Sequence, residues 1–463
     1  MLRILIGIAV IAALLLIATL QWQEPSRPEF IEIGSFTADG NAEIVQVAAD
    51  GSLAVFTNAE RQSIDVVDLS DPTNPVALAT VEVPGEPTSV ALSPDAKWAL
   101  TVVHVTPADE GAEPADLRLP GVLGVIDLRE PAAAKLVSVI GIGNHPDSIA
   151  VTDAGDSLVA VIAIENEPVI VNDNIVIDSD NPDNGTDISA PGVVQIVTIN
   201  PDSPRNWSVV TLEIAAELLT HELMLFADDP QPEYVAMSPG RHMAAVSLQE
   251  NNGILLIDLG AAEISGAFSL GTVVDRPADL LEDGQINLTQ AYPSDAANHA
   301  LAGIRSPDAI SFSPDGQYLL SADEGELPMT GGRGFSIWTL TGEFVWDDGG
   351  EIERKAVAAG LYPDTRSENN GIEIEGITSG RFGDRDFAFA VSERGSFLVI
   401  YDISNPYAPE FIQLLPTGEH PESVVAIPEK NLIVVAAEKS GTLTIYRYES
   451  SQEESSLLQS LLN

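Results

Sequence analysis

Two acidic positions recur along the chain, one at the start of a predicted strand and one just after the strand that follows. The first position holds Glu43, Asp147, Glu233, Asp308, Glu375 and Glu422, with Thr88 as the exception. The second position holds Glu60, Glu165, Glu250, Glu324, Glu393 and Glu438, with the region of His104 as the exception. Asp and Glu make up 70 of the 463 residues, so two nearly complete acidic columns exceed what composition alone supplies.

These columns predict a face of the protein on which carboxylates are crowded together. Neighbouring carboxylates raise one another's pKa unless a cation neutralises them. Ca²⁺ and Mg²⁺ suit such a set because both bind oxygen ligands. The alternative is that the acids cap loops and accept hydrogen bonds from the backbone of a neighbouring repeat. The sequence therefore predicts an acidic face and leaves open whether an ion binds there.

Other residue types capable of chemistry are few. The segment 178–187 alternates Asp with an Asn-Gly turn and resembles a calcium loop, but Pro182 and the position of Gly185 break the usual spacing, so a solvated Asx-rich loop is the other interpretation. His145 and His420 each precede a Pro-acid pair at the start of a first strand, where they are metal ligands, acid/base groups or simple turn residues. No hydrolase or phosphate-loop motif occurs and there is no cysteine, so no catalytic residue is predicted.

The elements that must position the acidic columns are short strands in a sevenfold repeat. Each repeat shows a strand, a turn, a second strand, a third strand ending in a Val/Ile-Asp-Leu-like tripeptide, and in most repeats a fourth strand. Four short antiparallel strands repeated radially are typical of an all-β, seven-bladed β-propeller. The start of the first strand and the end of the second meet at one rim of the central channel, which is where both acidic columns fall. Long insertions are predicted at 105–120, 165–192, 271–305 and 346–371.

The seventh repeat predicts how the ring closes. After Thr442 to Tyr448 the sequence turns polar and offers no fourth strand, whereas Pro28 to Ile33 echoes the fourth strand at Pro409 to Leu414. We therefore expect the N-terminal strand to complete the last blade, which would leave no open sheet edge. The propeller is predicted over residues 28–448, as a monomer, followed by a polar tail at 449–463.

The N-terminus and the net charge limit location and partners. Residues 4–20 are apolar and would span about 26 Å as a helix, so residues 1–22 are predicted to be a signal peptide or an uncleaved membrane anchor, with 23–27 as a linker. Export to the periplasm or the cell exterior is expected, with any membrane contact through this segment. The formal charge of −49 excludes nucleic acid as a partner.

Several segments resemble the choice-of-anchor I family of secreted bacterial propellers. The matching elements are Ile372 to Gly376, Asp384-Arg385, Glu393-Arg394 and Tyr401 to Pro406, together with Pro307-Asp308, Ala322 to Glu326, Pro146-Asp147 and Ile164 to Pro168. The resemblance implies an exported propeller. The acids of these elements and columns give the candidate metal ligands, namely Asp147, Glu165, Glu167, Asp308, Asp323, Glu324, Glu326, Glu373, Glu375 and Glu422.

Two functions follow from the residues and the resemblance. The first is a non-enzymatic propeller that binds a ligand or a protein partner on its acidic face, with Ca²⁺ or Mg²⁺ held there. The second is a Ca²⁺- or Mg²⁺-dependent phosphoesterase, since some relatives are described as atypical alkaline phosphatases. An Arg that commonly follows the acidic element in that family is missing after Glu326, and Arg333 is the candidate to replace it.

Overall fold

A computed structural model describes residues 29–105, 120–166, 170–172, 175–177, 191–273, 276–291, 303–325 and 331–449. The predicted N-terminal segment, the calcium-like loop at 178–187 and the tail beyond Glu449 lie outside these residues. Seven four-stranded antiparallel sheets form the blades. The prediction of an all-β, seven-bladed propeller is therefore confirmed.

The first four blades follow one another along the chain. Blade 1 contains β2 (Val45–Val47), β3 (Leu53–Asn58), β4 (Ser63–Asp68) and β5 (Val76–Glu82). Blade 2 contains β6 (Glu86–Leu92), β7 (Trp98–His104), β8 (Pro120–Asp127) and β9 (Lys135–Asn144). Blade 3 contains β10 (Pro146–Ala154), β11 (Ser157–Ile164), β14 (Val193–Ile199) and β15 (Trp207–Glu213). Blade 4 contains β16 (Pro232–Met237), β17 (Met243–Leu248), β18 (Gly253–Asp258) and β19 (Glu263–Ser269).

The remaining blades complete the ring. Blade 5 contains β22 (Pro307–Phe312), β23 (Tyr318–Asp323), β24 (Gly334–Thr339) and β25 (Phe344–Asp347). Blade 6 contains β26 (Ile374–Phe382), β27 (Arg385–Ser392), β28 (Phe397–Asp402) and β29 (Glu410–Pro416). Blade 7 contains β30 (Pro421–Ile427), β31 (Leu432–Ala437), β32 (Thr442–Glu449) and β1 (Glu29–Thr37). In every blade the first strand in this order is innermost, and inner strands of consecutive blades contact one another, including β30 with β2.

The predicted insertions carry the two described two-stranded sheets and the described α-helix outside the blades. They contain the two-stranded sheets β12 (Ile170–Asn172) with β13 (Ile175–Ile177) and β20 (Pro277–Ala278) with β21 (Gln290–Ala291). Helix α1 (Glu351–Ala359) follows blade 5 and buries Ile352 and Ala356 against blades 5 and 6. Short 3₁₀ turns occur at Pro131–Ala133, Ala216–Leu218, Asp364–Arg366 and Pro428–Lys430.

The N-terminal strand closes the ring as predicted. β1 pairs antiparallel with β32, with Glu29 opposite Glu449 and Thr37 opposite Thr442. Phe30 is fully buried, and its ring lies 5.2 to 5.6 Å from those of Phe382, Phe387 and Phe389 in an edge-to-face arrangement. Because these rings belong to blade 6, β1 also joins blade 7 to its neighbour.

The core consists of apolar side chains packed between successive blades. The second and third strands of the blades are buried along nearly their whole length, as in β3, β17 and β31. The fourth strands are mostly exposed or half-buried, as in β5 and β15. The inner strands are therefore held rigidly from behind, which fixes the positions of the residues they present to the channel.

Candidate acidic channel site

A repeated β-bulge places the first acidic column at the channel. In blades 2 to 7 the inner strand has one residue more than its neighbour at this point. In blades 3 to 6 two residues of the inner strand stand opposite one residue of the neighbouring strand, and in blades 2 and 7 one residue of the inner strand has no opposite residue. The bulged residues include Asp147, Glu233, Asp308, Glu375, Glu422 and the exceptional Thr88. A bulge re-aims the side chain that it carries. The residue just before the strand often has a positive φ, as His145, Ser306 and His420 do.

Five carboxylates of this column line one common space, which we call the upper chamber. It has a volume of about 160 Å³ and is lined by Ile44, Thr88, Ser89, Asp147, Ser148, Glu233, Tyr234, Asp308, Ala309, Glu375 and Glu422. The sixth acid, Glu43, lies in an adjoining depression with Glu60, Glu86 and Glu438. The structure therefore brings the first column together as the sequence pattern predicts.

The second acidic column surrounds the first and forms close groups with it. In each group, one possible ligand atom per residue lies within 4.8 Å of the others. The groups are Glu165 with Glu233 and Glu250, Glu324 with Glu373 and Glu375, Glu375 with Glu393 and Glu422, and Glu393 with His420 and Glu438. Glu60 is exposed and belongs to none of these groups. We call the two acidic columns, together with Glu373, His145 and His420, the acidic rim.

Burial and mutual repulsion raise the pKa values of several carboxylates of the acidic rim. Burial, reinforced by Glu438 and Glu86, raises the pKa of Glu43 to about 8. Burial is also the main reason that the pKa values of other rim acids lie well above the ordinary range, with neighbouring carboxylates adding to it, for Glu233, Asp308, Glu324, Glu375 and Glu422. Glu233 is also hydrogen-bonded to Glu165, which raises its pKa further. A bound cation would relieve this repulsion and displace the protons.

Both predicted histidines lie on the acidic rim. Nδ1 of His145 is 3.1 Å from Oε2 of Glu165, and Nδ1 of His420 is 2.8 Å from Oε1 of Glu393. The ring of His104 lies 4.8 Å from that of His145, so blade 2, which lacks an acid at both positions, contributes an imidazole instead. Each imidazole can hydrogen-bond a rim carboxylate or offer a nitrogen to a metal.

Some predicted ligands have other partners. Asp323 is fully buried, and its carboxylate accepts hydrogen bonds from Arg305 at 3.0 Å and from Ser321 and Ser336. Glu373 belongs to a rim group but is also ion-paired with Arg366 at 2.6 Å and Arg394 at 2.7 Å. Glu167 and Glu326 lie outside the described residues. Asp323 therefore stabilises the fifth blade, and Glu373 joins the rim to two guanidinium groups.

Arg333 does not supply a phosphate-binding guanidinium. It is fully buried and donates hydrogen bonds to the backbone oxygens of Asp279, Ser367 and Asn369, at 2.8, 2.8 and 2.6 Å. Its Nη1 atom also lies 3.5 Å from Glu353. The expectation that Arg333 replaces the missing family arginine is wrong, because this side chain connects the insertions beside blades 5 and 6.

Sequence reasoning missed the positive charge on the rim. Nε of Arg394 lies 2.7 Å from Glu373 and 2.6 Å from Glu393, so one guanidinium neutralises part of two rim carboxylates. Gln249 was also missed, and its amide donates a hydrogen bond to Glu324. A signal in the sequence was that Arg394 directly follows Glu393 of the second column, since a residue next to a rim acid in the chain also lies close to the neighbouring rim acids.

The fold and the acidic channel define a seven-bladed propeller with a carboxylate-lined rim. A profile of the choice-of-anchor I domain matches residues 43–327 and 326–406, and the chain belongs to that family. No curated protein sequence matches it. Among the described residues, no helix is long and apolar enough to cross a membrane.

Similar solved structures are propellers or contain them. The alignment with hydrazine synthase of Kuenenia stuttgartiensis covers 90% of this chain and 98% of that protein's chain, with 13% identity and a TM-score of 0.52. The alignment with the β-propeller domain of Myceliophteria thermophila Cps50 (Swd1) covers 90% of this chain and 99% of that domain's chain, with 8% identity and a TM-score of 0.52. At such identities the likeness shows the fold alone.

Proposed function

We propose that this protein is a surface or periplasmic propeller that binds Ca²⁺ or Mg²⁺ on its acidic rim and uses that face to bind a ligand or protein partner. The observation that carries the proposal is the set of close carboxylate groups built from successive blades. Glu375 belongs to two of them, one with Glu324 and Glu373 and one with Glu393 and Glu422. Several carboxylate oxygens at this spacing meet the demand of a hard cation for oxygen ligands.

The charge of the rim supports a bound cation. Burial, reinforced by neighbouring carboxylates, raises the pKa values of Glu375 and Glu422 well above the ordinary range, which favours their protonated forms when no cation is bound. A divalent cation held by these carboxylates would favour their ionised forms and release the protons that they hold. Binding of Ca²⁺ should therefore release protons and be stronger at pH 8 than at pH 6. A cation held there would offer a docking point for an anionic or carbonyl group of a partner.

Calorimetric titration of the chelator-treated protein with Ca²⁺ and Mg²⁺ tests the proposal. Repeating the titration in buffers of different ionisation enthalpy counts the protons released. Glu375→Gln should weaken binding at least tenfold because it removes a ligand shared by two groups, whereas Glu60→Gln, at an exposed acid of the second column, should leave it unchanged.

A thermal readout checks the same proposal independently. An ion that binds only the folded chain stabilises it by about 2.7 kcal/mol at a concentration of 100 Kd. We expect Ca²⁺ or Mg²⁺ to raise Tm and a chelator to reverse the rise. The proposal is wrong if neither ion produces heat, proton release or a change in Tm.

A further inference from the structure

The central channel contains a second, larger space directly below the upper chamber. This lower chamber has a volume of about 820 Å³, within the range of small-molecule sites. Its wall includes Ala91, Val151, Met237, Ser311, Thr378 and Val425. Among its described lining residues only Arg381 and Glu429 are charged, and the guanidinium of Arg381 is ion-paired with Asp386 at 2.6 Å.

The two chambers adjoin each other and differ in chemistry. Ile44, Ser89, Ser148 and Tyr234 line both of them. At its other end the lower chamber reaches Pro239, Pro314 and Pro428, which lie in turns on the face opposite the acidic rim. The channel is therefore a largely neutral, partly apolar tube that leads from that face to a set of crowded carboxylates.

This arrangement matches a solute with charge at one end only. A hydrated metal ion gains nothing from the neutral wall of the lower chamber, because its water shell would have to be removed without replacement. An aliphatic chain gains from leaving water in the same place. An ammonium group at the end of that chain would meet the carboxylates of the upper chamber, Asp147, Glu233 and Asp308 among them.

We propose that the channel binds an organic cation of the alkylammonium class, with its ammonium group among Asp147, Glu233 and Asp308 and its aliphatic body in the lower chamber. The inference rests on the proposed function insofar as both use the carboxylates of the upper chamber. It goes further by naming a ligand class, an orientation and a second set of contacts. The cation enters from the face opposite the acidic rim.

Calorimetric titration with ethyl-, butyl- and hexylammonium chlorides at pH 8 tests this inference. Affinity should rise by up to about fourfold for each added methylene, because each is buried in the lower chamber. Hexanoate and hexanol, which keep the chain and lose the positive charge, should not bind detectably. An affinity that is independent of chain length, or binding of hexanoate equal to that of hexylammonium, would overturn the inference.

Variants in the lower and in the upper chamber separate the contributions of the two. Ser311→Phe fills the lower chamber and should weaken hexylammonium binding at least tenfold while leaving the Kd for Ca²⁺ unchanged. Ala150→Phe is a second variant at a lower-chamber residue, for use if Ser311→Phe lowers the Tm. Glu233→Gln should weaken hexylammonium binding and keep its dependence on chain length. Unchanged hexylammonium binding in a folded lower-chamber variant would contradict the inference.

The outcomes distinguish this inference from the proposed function. Binding of Ca²⁺ without binding of hexylammonium removes the alkylammonium site and leaves the metal site. Chain-length-dependent binding of hexylammonium without binding of Ca²⁺ supports the alkylammonium site and removes the metal site.

Discussion

At the residue scale, Glu43 links the acidic rim to the pH dependence of stability. Its pKa in the folded protein is about 8, against an ordinary value of 4.5, mainly because it is buried. Between these two pH values the folded chain holds a proton that the unfolded chain has released. The free energy of unfolding therefore falls as pH rises from 4.5 to 8. The full stabilising contribution of protonated Glu43 is present only below pH 4.5.

Glu43→Gln should remove this loss, because glutamine is neutral at every pH in the window. A shift of this size corresponds to roughly 4 kcal/mol between the ends of the window. Urea unfolding at pH 5 and pH 8, without divalent cations, measures the difference for the variant and for the original chain. Glu60→Gln, at an exposed acid of the same blade, is the matched control. Equal pH dependence in Glu43→Gln and in the original chain would contradict the assignment.

Asp323 allows a structural role to be separated from a metal-binding role. Its carboxylate pairs with Arg305, and both side chains are buried. Asp323→Asn removes one of the two carboxylates that pair with the Arg305 guanidinium, the other being Asp347 at 2.9 Å, so we expect a loss of about 1.5–3 kcal/mol in the free energy of unfolding. The Kd for Ca²⁺ should not change, in contrast with Glu375→Gln. A tenfold weaker Kd in Asp323→Asn would place this residue among the ligands after all.

At the scale of elements, the closing strand β1 depends on one aromatic anchor. Phe30 is buried among Phe382, Phe387, Phe389 and Tyr448. Phe30→Ala should lower the free energy of unfolding by about 3–5 kcal/mol, because it leaves a cavity between blades 6 and 7. Ile31→Ala is the matched control, since Ile31 is on the same strand and 36% exposed. Comparable losses in the two variants, measured by urea unfolding, would mean that Phe30 is not the anchor.

The elements also show which features a sequence can predict. The seven blades, the closing strand and the first acidic column follow from alternation, turns and the position of each acid relative to its own strand, which are local properties. The role of Asp323 is not local, because its partner Arg305 comes from an insertion whose path the pattern does not fix. Arg333 was misassigned for the same reason, since its partners at Asp279 and Ser367 come from two separate segments.

At the scale of the whole molecule, the chain direction separates the acidic rim from the N-terminal end of the propeller. The inner strand β30 begins at the rim beside Glu422, and β32 runs from the rim to Glu449. β1 runs antiparallel to β32, so Glu29 lies at the face opposite the acidic rim. Nine extended residues measure about 30 Å, which is the height that β1 places between the two faces.

This topology predicts the orientation of a membrane-bound chain. The apolar residues 4–20, which the sequence predicts to be a membrane anchor if uncleaved, are joined to β1 by residues 21–28. Eight residues reach at most about 28 Å, so the bilayer would have to lie near the face of Glu29. The acidic rim would then point away from the lipid, which also keeps its negative charge from anionic head groups.

Single-cysteine variants of the full chain in vesicles can measure this orientation, because the chain has no cysteine of its own. Glu60→Cys lies at the acidic rim and Asp71→Cys at the opposite face, and both positions are exposed and belong to blade 1. With a fluorophore on each and a quencher attached to lipid head groups, Asp71→Cys should be quenched more strongly. The same labelled proteins in detergent without the quencher lipid control for differences in brightness. Equal quenching at the two sites, or stronger quenching at Glu60→Cys, would exclude this orientation and with it an anchor joined to β1 by so short a linker.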